Sequence, residues 1–475
     1  MSAFLRVYKG DDSPLYIQAA DALRARILDG EFRPGDKLPS VRKLSDELGV
    51  NPATIVSAYR ILTNEGLVEA RAGSGAYVAP SPALGEAPGL FPGESSLRDF
   101  GLSSGKGASL DLSASAPPRD LYPLEELKRF IVEAIDAEGG AAFDYQDPAG
   151  YAPLRRSIAL RLSSEQGRAR SADPEDVHIV SGAQQGVDLA ARVLLRRGDV
   201  AVLEAPGYRG ALDSFVAAGA RVEALDVLEG GMDLGQLERI AATKALRLVH
   251  VNPSLQNPTG ITYGLPERKA LVAMAERYGF YIIEDDLFAD LLGEDALPTL
   301  RSLDSADRVV LVKSYSKTLM PGLRIASMEA PRALRSRIEE AKRSVDLSSN
   351  GLMQRALERF LSSGAYDSHL VRSRERYARA YESFSAEIAR KNQGILSWER
   401  PLGGINIWIA LPAGLGSREY AARCERLGCL VSPEDSFRFG AARDARPCSH
   451  VRASIGSIPL ADMPAAAELL AAAAL

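Results

Sequence analysis

The chain has 475 residues, 46% hydrophobic and 25% charged, with a net charge of −5. That length exceeds one small core and predicts two or three domains, while the acidic balance excludes a global attraction to nucleic acid. Three cysteines and four scattered histidines exclude a disulfide framework and suggest no metal site. No apolar run reaches membrane-spanning length, and the opening Met-Ser-Ala-Phe-Leu-Arg lacks the layout of a signal peptide. A cytoplasmic protein without membrane contact is expected.

Residues 1–79 read as three helices and a hairpin. Ile17, Ala20, Leu23 and Ile27 share one helical face. Ser40 caps a second helix carrying Val41, Leu44 and Leu48, and Gly49 ends it. Asn51 caps a third, with Pro52 at its first position and Ile55, Ala58, Tyr59 and Leu62 as its buried stripe. Two short helices joined by a glycine turn make a helix-turn-helix. Leu67–Ala70 and Ala76–Ala79 are expected as strands around a Gly73-Ser74-Gly75 wing. The run from Leu38-Pro39-Ser40-Val41-Arg42 to Gly73-Ser74-Gly75-Ala76-Tyr77-Val78 resembles the GntR class of winged-helix DNA-binding domains. That resemblance implies a double-stranded DNA partner. Arg42, Asn51 and Thr54 would touch phosphates or base edges, and Gly73, Ser74 and Gly75 would approach the minor groove. Pro52 and Val56 stand where the family often places arginines, and residues 1–79 hold ten basic and ten acidic side chains. The domain is therefore not a basic patch as a whole.

Residues 80–112, rich in Pro, Gly and Ser, read as a flexible linker. From 113 to 475 short apolar runs alternate with helical patterns: Val177–Val180, Val200–Leu203, Leu248–Val251, Tyr281–Ile283 and Val309–Val312. Such alternation predicts an α/β body with a mostly parallel sheet, whose sites gather at the C-terminal ends of strands. A large part over about 141–345 is expected, with a smaller C-terminal α+β part from about 113–140 and 346–475.

The candidate residues follow those strands. Ser314-Tyr315-Ser316-Lys317, then Pro321-Gly322 and Arg324, supply hydroxyls and a guanidinium for a phosphate and an amine for an aldehyde. This Ser-x-Ser-Lys-x-x-x-Pro-Gly-x-Arg run resembles the lysine motif of fold-type I pyridoxal-phosphate aminotransferases. The resemblance implies pyridoxal 5′-phosphate as cofactor, held by Lys317 as an imine and by Ser314, Ser316 and Arg324. It makes Gly182, Ala183 and Gln184 a phosphate cup at a helix start and stacks Tyr208 on the cofactor ring. It gives Asn257, in Asn-Pro-Thr-Gly, to the phenolic oxygen and Asp285 to the ring nitrogen. Tyr145 would reach the neighbouring subunit's phosphate, so a homodimer is implied, and Arg452 would grip a carboxylate of substrate or effector. Ser113–Pro118 and Gly403-Gly404-Ile405-Asn406 are expected to line the same pocket. Leu287 and Phe288 occupy the positions where the family usually has a tyrosine, which removes one hydrogen bond to the cofactor.

The two halves together resemble the MocR subfamily of transcriptional regulators. The resemblance implies a regulator that senses pyridoxal phosphate, an amino compound, or both through Lys317. A catalytically active aminotransferase carrying a DNA reader is the alternative.

Overall fold

The computed structural model describes residues 14–28, 31–32, 35–64, 67–71, 74–79, 110–164, 168, 171–392, 394–439 and 447–475. Gly73 and all but the last three residues of the expected linker lie outside these. The chain forms two compact units, divided between residues 90 and 91.

In the N-terminal unit, α1 (Leu15–Leu28), α2 (Val41–Leu48) and α3 (Pro52–Asn64) precede an antiparallel pair, β1 (Val68–Arg71) and β2 (Gly75–Val78). Local chemistry sets the boundaries. Ser40 Oγ accepts from Lys43 N at 3.3 Å, and Gly49 ends α2 in the left-handed region at φ +61°. Ala20, Leu23, Leu44, Ile55, Leu62 and Val78 bury a small core. Tyr59, on the core face of α3, donates its hydroxyl to Pro39 O at 2.5 Å and so ties α3 to the start of α2.

The C-terminal unit begins earlier than the sequence suggests. Leu110–Asp111 forms β3, parallel to β13 (Cys429–Leu430), and Leu112 N donates to Leu430 O at 2.9 Å. The last residues assigned to the linker are therefore a strand of the body. The main sheet has eight strands in the order β4-β11-β10-β9-β8-β5-β6-β7. These are β4 (Val177–Val180), β5 (Val200–Ala205), β6 (Arg221–Leu228), β7 (Gly231–Met232), β8 (Leu246–Val251), β9 (Tyr281–Asp286), β10 (Val309–Ser314) and β11 (Ala326–Glu329). The stretch β10-β9-β8-β5-β6 is parallel throughout, while β11 and β7 run antiparallel to their neighbours. β4 and β5 are buried at every position, and β10 at every position but Lys313, as strands covered on both faces must be.

A second, three-stranded antiparallel sheet joins β12 (Asn406–Ala410), β15 (His450–Ser454) and β14 (Ser432–Pro433). The division between large and small parts differs from the expected one. α4 (Leu124–Glu138) and α7 (Gly351–Ser362), both expected in the small part, pack in the large core, with Phe130 edge-on to Phe360 at 5.6 Å. The reason is amphipathicity: each helix presents one apolar stripe, and the sheet's uncovered face takes both. The cut falls inside one helix, α8 (Ala365–Asn392). Its Tyr366, Leu370 and Tyr377 belong to the large core, and its Ala380, Phe384 and Ile388 to the small one.

Candidate functional site

The strands β4, β5, β8, β9 and β10 deliver their C-terminal ends to one cavity, lined by Ser115, Ala116, Ala183, Gln184, Tyr208, Asn257, Asp285, Leu287, Ser314, Ser316, Lys317, Pro321, Arg324 and Arg452. Of the residues singled out for cofactor and effector, ten line this space. Gly182 borders it, and Tyr145 does not.

One end is built for an oxyanion. Gly182 stands at φ +95° at the start of α5 (Ala183–Leu194), so backbone N–H groups and the helix dipole face the cavity. Arg324 Nη2 donates to Ser181 O at 3.1 Å. A Cβ at Gly182 would lie 2.4 Å from that guanidinium, so only glycine lets the arginine close on the turn. Arg324 itself is held at φ +52°, in the left-handed region that a non-glycine residue seldom occupies. Ser316 Oγ is buried with no hydrogen-bond partner among the described residues.

The other end is set for a ring and its substituents. Asp285 is 1% exposed, and neither carboxylate oxygen makes a hydrogen bond with a described residue. His250 Nε2 lies 3.5 Å from Oδ2. Burying a carboxylate this bare is costly, so its place in the cavity wall marks a missing cationic or N–H partner. Tyr208 stacks towards His250 at 6.4 Å, and its hydroxyl donates to Gln184 Oε1 at 2.6 Å. Gln184 in turn donates to Gly210 O and Ser214 Oγ, both at 3.0 Å. The side chain of Gln184 thus positions Tyr208. Lys317 Nζ donates to Ser115 O.

Arg452 is wholly buried. Its Nη1 donates to Asn257 Oδ1 at 2.8 Å, its Nη2 to Ser113 O at 2.5 Å and to Ser432 Oγ at 3.2 Å, and Phe437 lies 4.9 Å below the guanidinium. With Oδ1 committed to Arg452, Asn257 turns its NH2 towards the cavity.

Sequence reasoning missed the support beneath Asn257. Glu204, at the end of β5, accepts from Tyr263 Oη at 2.5 Å, Asn252 N at 3.1 Å and Gln256 Nε2 at 3.3 Å. Asn252 then accepts from Asn257 N at 2.7 Å and donates to Asp285 O at 2.6 Å. Burial pushes the Glu204 carboxyl up, against hydrogen bonds that lower it. The signal was present: an acid ending an apolar strand needs partners, as at Asp285.

Two expectations change. Of the two positions where the family usually has a tyrosine, Leu287 lines the cavity, while Phe288 is buried in the large core and does not line it. Asn406 reaches the site indirectly, accepting from Ser115 Oγ at 3.3 Å, but Gly403 and Gly404 line a separate cavity. Tyr145 is 87% exposed and, with Phe143, borders a surface cavity against residues 348–352.

In the N-terminal unit Arg42, Asn51, Ser74 and Gly75 are exposed and Thr54 half-buried. Asn51 is already engaged, its Oδ1 accepting from Ala53 N at 2.9 Å. Ser74 Oγ and Tyr77 Oη lie 2.7 Å apart.

Comparison with known proteins agrees with both halves. Residues 15–78 match the gntR family of bacterial regulatory proteins, and residues 109–467 match aminotransferase class I and II. The HTH-type transcriptional regulator TauR of Rhodobacter capsulatus is 32% identical over 460 residues, covering 92% of each chain. The probable rhizopine catabolism regulatory protein MocR of Rhizobium meliloti is 30% identical over 395 residues, covering 80% of this chain and 78% of its own. Among solved structures, the α-aminoadipate aminotransferase LysN of Thermus thermophilus, complexed with N-(5′-phosphopyridoxyl)-L-leucine, superposes with a TM-score of 0.70 at 30% identity. It covers 80% of this chain and 96% of its own. The chain belongs to the MocR-type transcriptional regulators of the gntR family, a helix-turn-helix unit fused to a class I and II aminotransferase body.

Proposed function

We propose that the body binds pyridoxal 5′-phosphate at Lys317 and responds to a carboxylate-bearing amino compound, and that this state is passed to the DNA-binding unit. The bare, buried carboxylate of Asp285 carries the reading. A ring nitrogen bearing a proton is the partner it lacks, and Lys317 and the Gly182–Arg324 turn border the same cavity. When bound, that cofactor supplies an aldehyde that condenses with amines and a ring that accepts electrons.

The chain's own residues do the rest. The backbone at Gly182–Ala183, Ser314, Ser316 and Arg324 hold the phosphate. Tyr208, fixed by Gln184, covers one face of the ring. Asp285 keeps the ring nitrogen protonated, backed by His250. Asn257 donates to the phenolic oxygen, and the Glu204 clamp fixes its loop. Lys317 holds or moves a proton beside Ser115 O. Arg452, already braced by Asn257 and Ser432, offers its guanidinium to an incoming carboxylate. The exposed Phe143–Tyr145 surface is proposed to dock a second copy of the chain, completing a dimer in the cytoplasm on double-stranded DNA.

The test is uptake of pyridoxal phosphate, read by visible absorbance and by borohydride trapping with mass spectrometry. Wild type should trap one equivalent at Lys317 and Lys317→Ala none; a colourless wild type overturns the reading. A working aminotransferase is the second reading, favoured by the presence of Lys317, Asp285 and Arg452 in one cavity. A 2-aminoadipate transaminase of Thermus thermophilus is also 32% identical over 342 residues. Sustained turnover with a keto acid, without change in DNA affinity, would select that reading; a single stoichiometric spectral change with altered DNA affinity selects the regulator.

A further inference from the structure

Gly403 and Gly404, expected beside the cofactor, instead wall a separate cavity of about 200 Å³ between α8 and the segment entering β12. Arg374, Tyr377 and Tyr381 of α8 face Arg400 and the two glycines across it. Its polar side chains are donors. Arg374 gives one N–H to Asp290 O at 3.1 Å, and Arg400 lies 5.1 Å over the Tyr381 ring. The Tyr381 hydroxyl accepts from Trp398 Nε1 at 3.0 Å, which leaves its own proton to give. The buried Tyr377 hydroxyl makes no hydrogen bond with a described residue. No carboxylate of a described residue pairs with Arg374 or Arg400. Several buried arginines of the body are, by contrast, matched by acids: Arg301 by Glu329, Asp304 and Asp307, Arg355 by Glu138, Arg438 by Glu434 and Asp226.

Two guanidiniums and two phenols lining one cavity, with no acid among them, recognise negative charge. The glycines keep the opposite wall bare. A Cβ at Gly403 would lie 3.2 Å from Leu291 O, one at Gly404 3.1 Å from Leu255, and Gly404 stands at φ +79°. We propose that this cavity binds a small anion, a phosphate or a carboxylate, held by Arg374 and Arg400.

The site is joined to the main cavity through backbone. Two residues beyond Gly404, Asn406 accepts from Ser115 Oγ, and Ser115 O accepts from Lys317. An anion that draws the 400–404 segment towards α8 therefore acts, through Asn406 and Ser115, on the carbonyl that accepts from Lys317. The proposal goes beyond the function proposed above and does not depend on cofactor binding.

Trp398 is the natural reporter, since it is hydrogen-bonded to Tyr381. The full chain contains two tryptophans, so Trp408→Phe leaves Trp398 as the only emitter. Inorganic phosphate and succinate are titrated separately, with ionic strength held constant by chloride. At least one should give a saturable change in emission, and which one does identifies the anion class. Arg400→Gln, an exposed position expected to fold, should raise the half-saturation by about tenfold, the value of one charge-assisted hydrogen bond. Arg374→Gln/Arg400→Gln should abolish saturation. Arg324→Gln, in the phosphate turn of the main cavity, should leave the midpoint unchanged. The proposal is overturned if neither anion saturates, if Arg400→Gln keeps the wild-type midpoint, or if the midpoint follows Arg324.

Discussion

The two units carry function in opposite physical states. In the body Asp285 and Ser316 are buried and short of partners: among the described residues, neither Asp285 carboxylate oxygen nor the Ser316 hydroxyl has a hydrogen-bond partner. In the N-terminal unit Asn51 and Ser74 are exposed and already satisfied: Asn51 caps its own helix, and Ser74 pairs with Tyr77. A small-molecule cavity must desolvate its ligand, so its polar groups are costly until something binds. DNA is read from water by groups that lose little when it leaves. The body should therefore show opposed effects of mutation on stability and binding, and the N-terminal unit should not.

The largest effect is expected at Asp285. Asp285→Asn removes the counter-charge of a buried ring nitrogen and should weaken pyridoxal phosphate binding by about a thousandfold, as loss of one partner of a buried ion pair does. The same change should stabilise the ligand-free body by about 1–3 kcal/mol, because an unpaired buried carboxylate is gone. Calorimetry of the two ligand-free proteins checks the sign. A variant no more stable than wild type would show that His250, 3.5 Å away, already satisfies the charge.

Protons offer a second cut, since all four histidines lie in the body. Burial, aided by the Arg155 guanidinium, pushes His178 on β4 down to about 4. The unfolded chain therefore takes up this proton first as pH falls. The stability it reflects is complete above about 6.5 and declines between about 6.5 and 4, by up to about 3 kcal/mol. His178→Asn should flatten that limb of the body's pH–stability curve. The N-terminal unit's transition should show no histidine-dependent change over the same range.

What was legible follows the same contrast. Lys317, Asp285, Asn257 and Arg324 could be read because each needs a particular residue type beside a turn or strand end, and local sequence states both. The strand list was legible for a related reason: fully buried strands are continuous apolar runs. The partners of Glu204 were not legible, because Tyr263, Asn252 and Gln256 arrive from a different strand and loop. The cut between the two cores was hidden because α8 is one unbroken helix whose stripe changes partner between Tyr377 and Ala380. Position 287 was ambiguous for a simpler reason. Alternation places one of two neighbours in the cavity and the other in the core, and only packing tells which.

A smaller effect is expected on the DNA side. Arg42 is exposed on α2, and no ion pair to a carboxylate of the described residues holds it. Arg42→Ala should lower DNA affinity by about tenfold and reduce the salt slope by about one, while stability stays within about 0.5 kcal/mol. A stability loss above that would mean that Arg42 supports the fold, and the contrast between the units would weaken.

The finest test is at Asn51, the one residue of the N-terminal unit asked to do both jobs. Its side-chain oxygen accepts from Ala53 N, which leaves the NH2 as the group free to face DNA. Asn51→Ala removes cap and amide together and should cost about 1 kcal/mol of stability in addition to any loss of affinity. Asn51→Ser keeps an oxygen for the cap and removes the amide donors. If it retains wild-type stability but binds DNA as poorly as alanine, the amide reads the nucleic acid. If it restores both, Asn51 acts by starting α3, and the reading groups lie further along the helix.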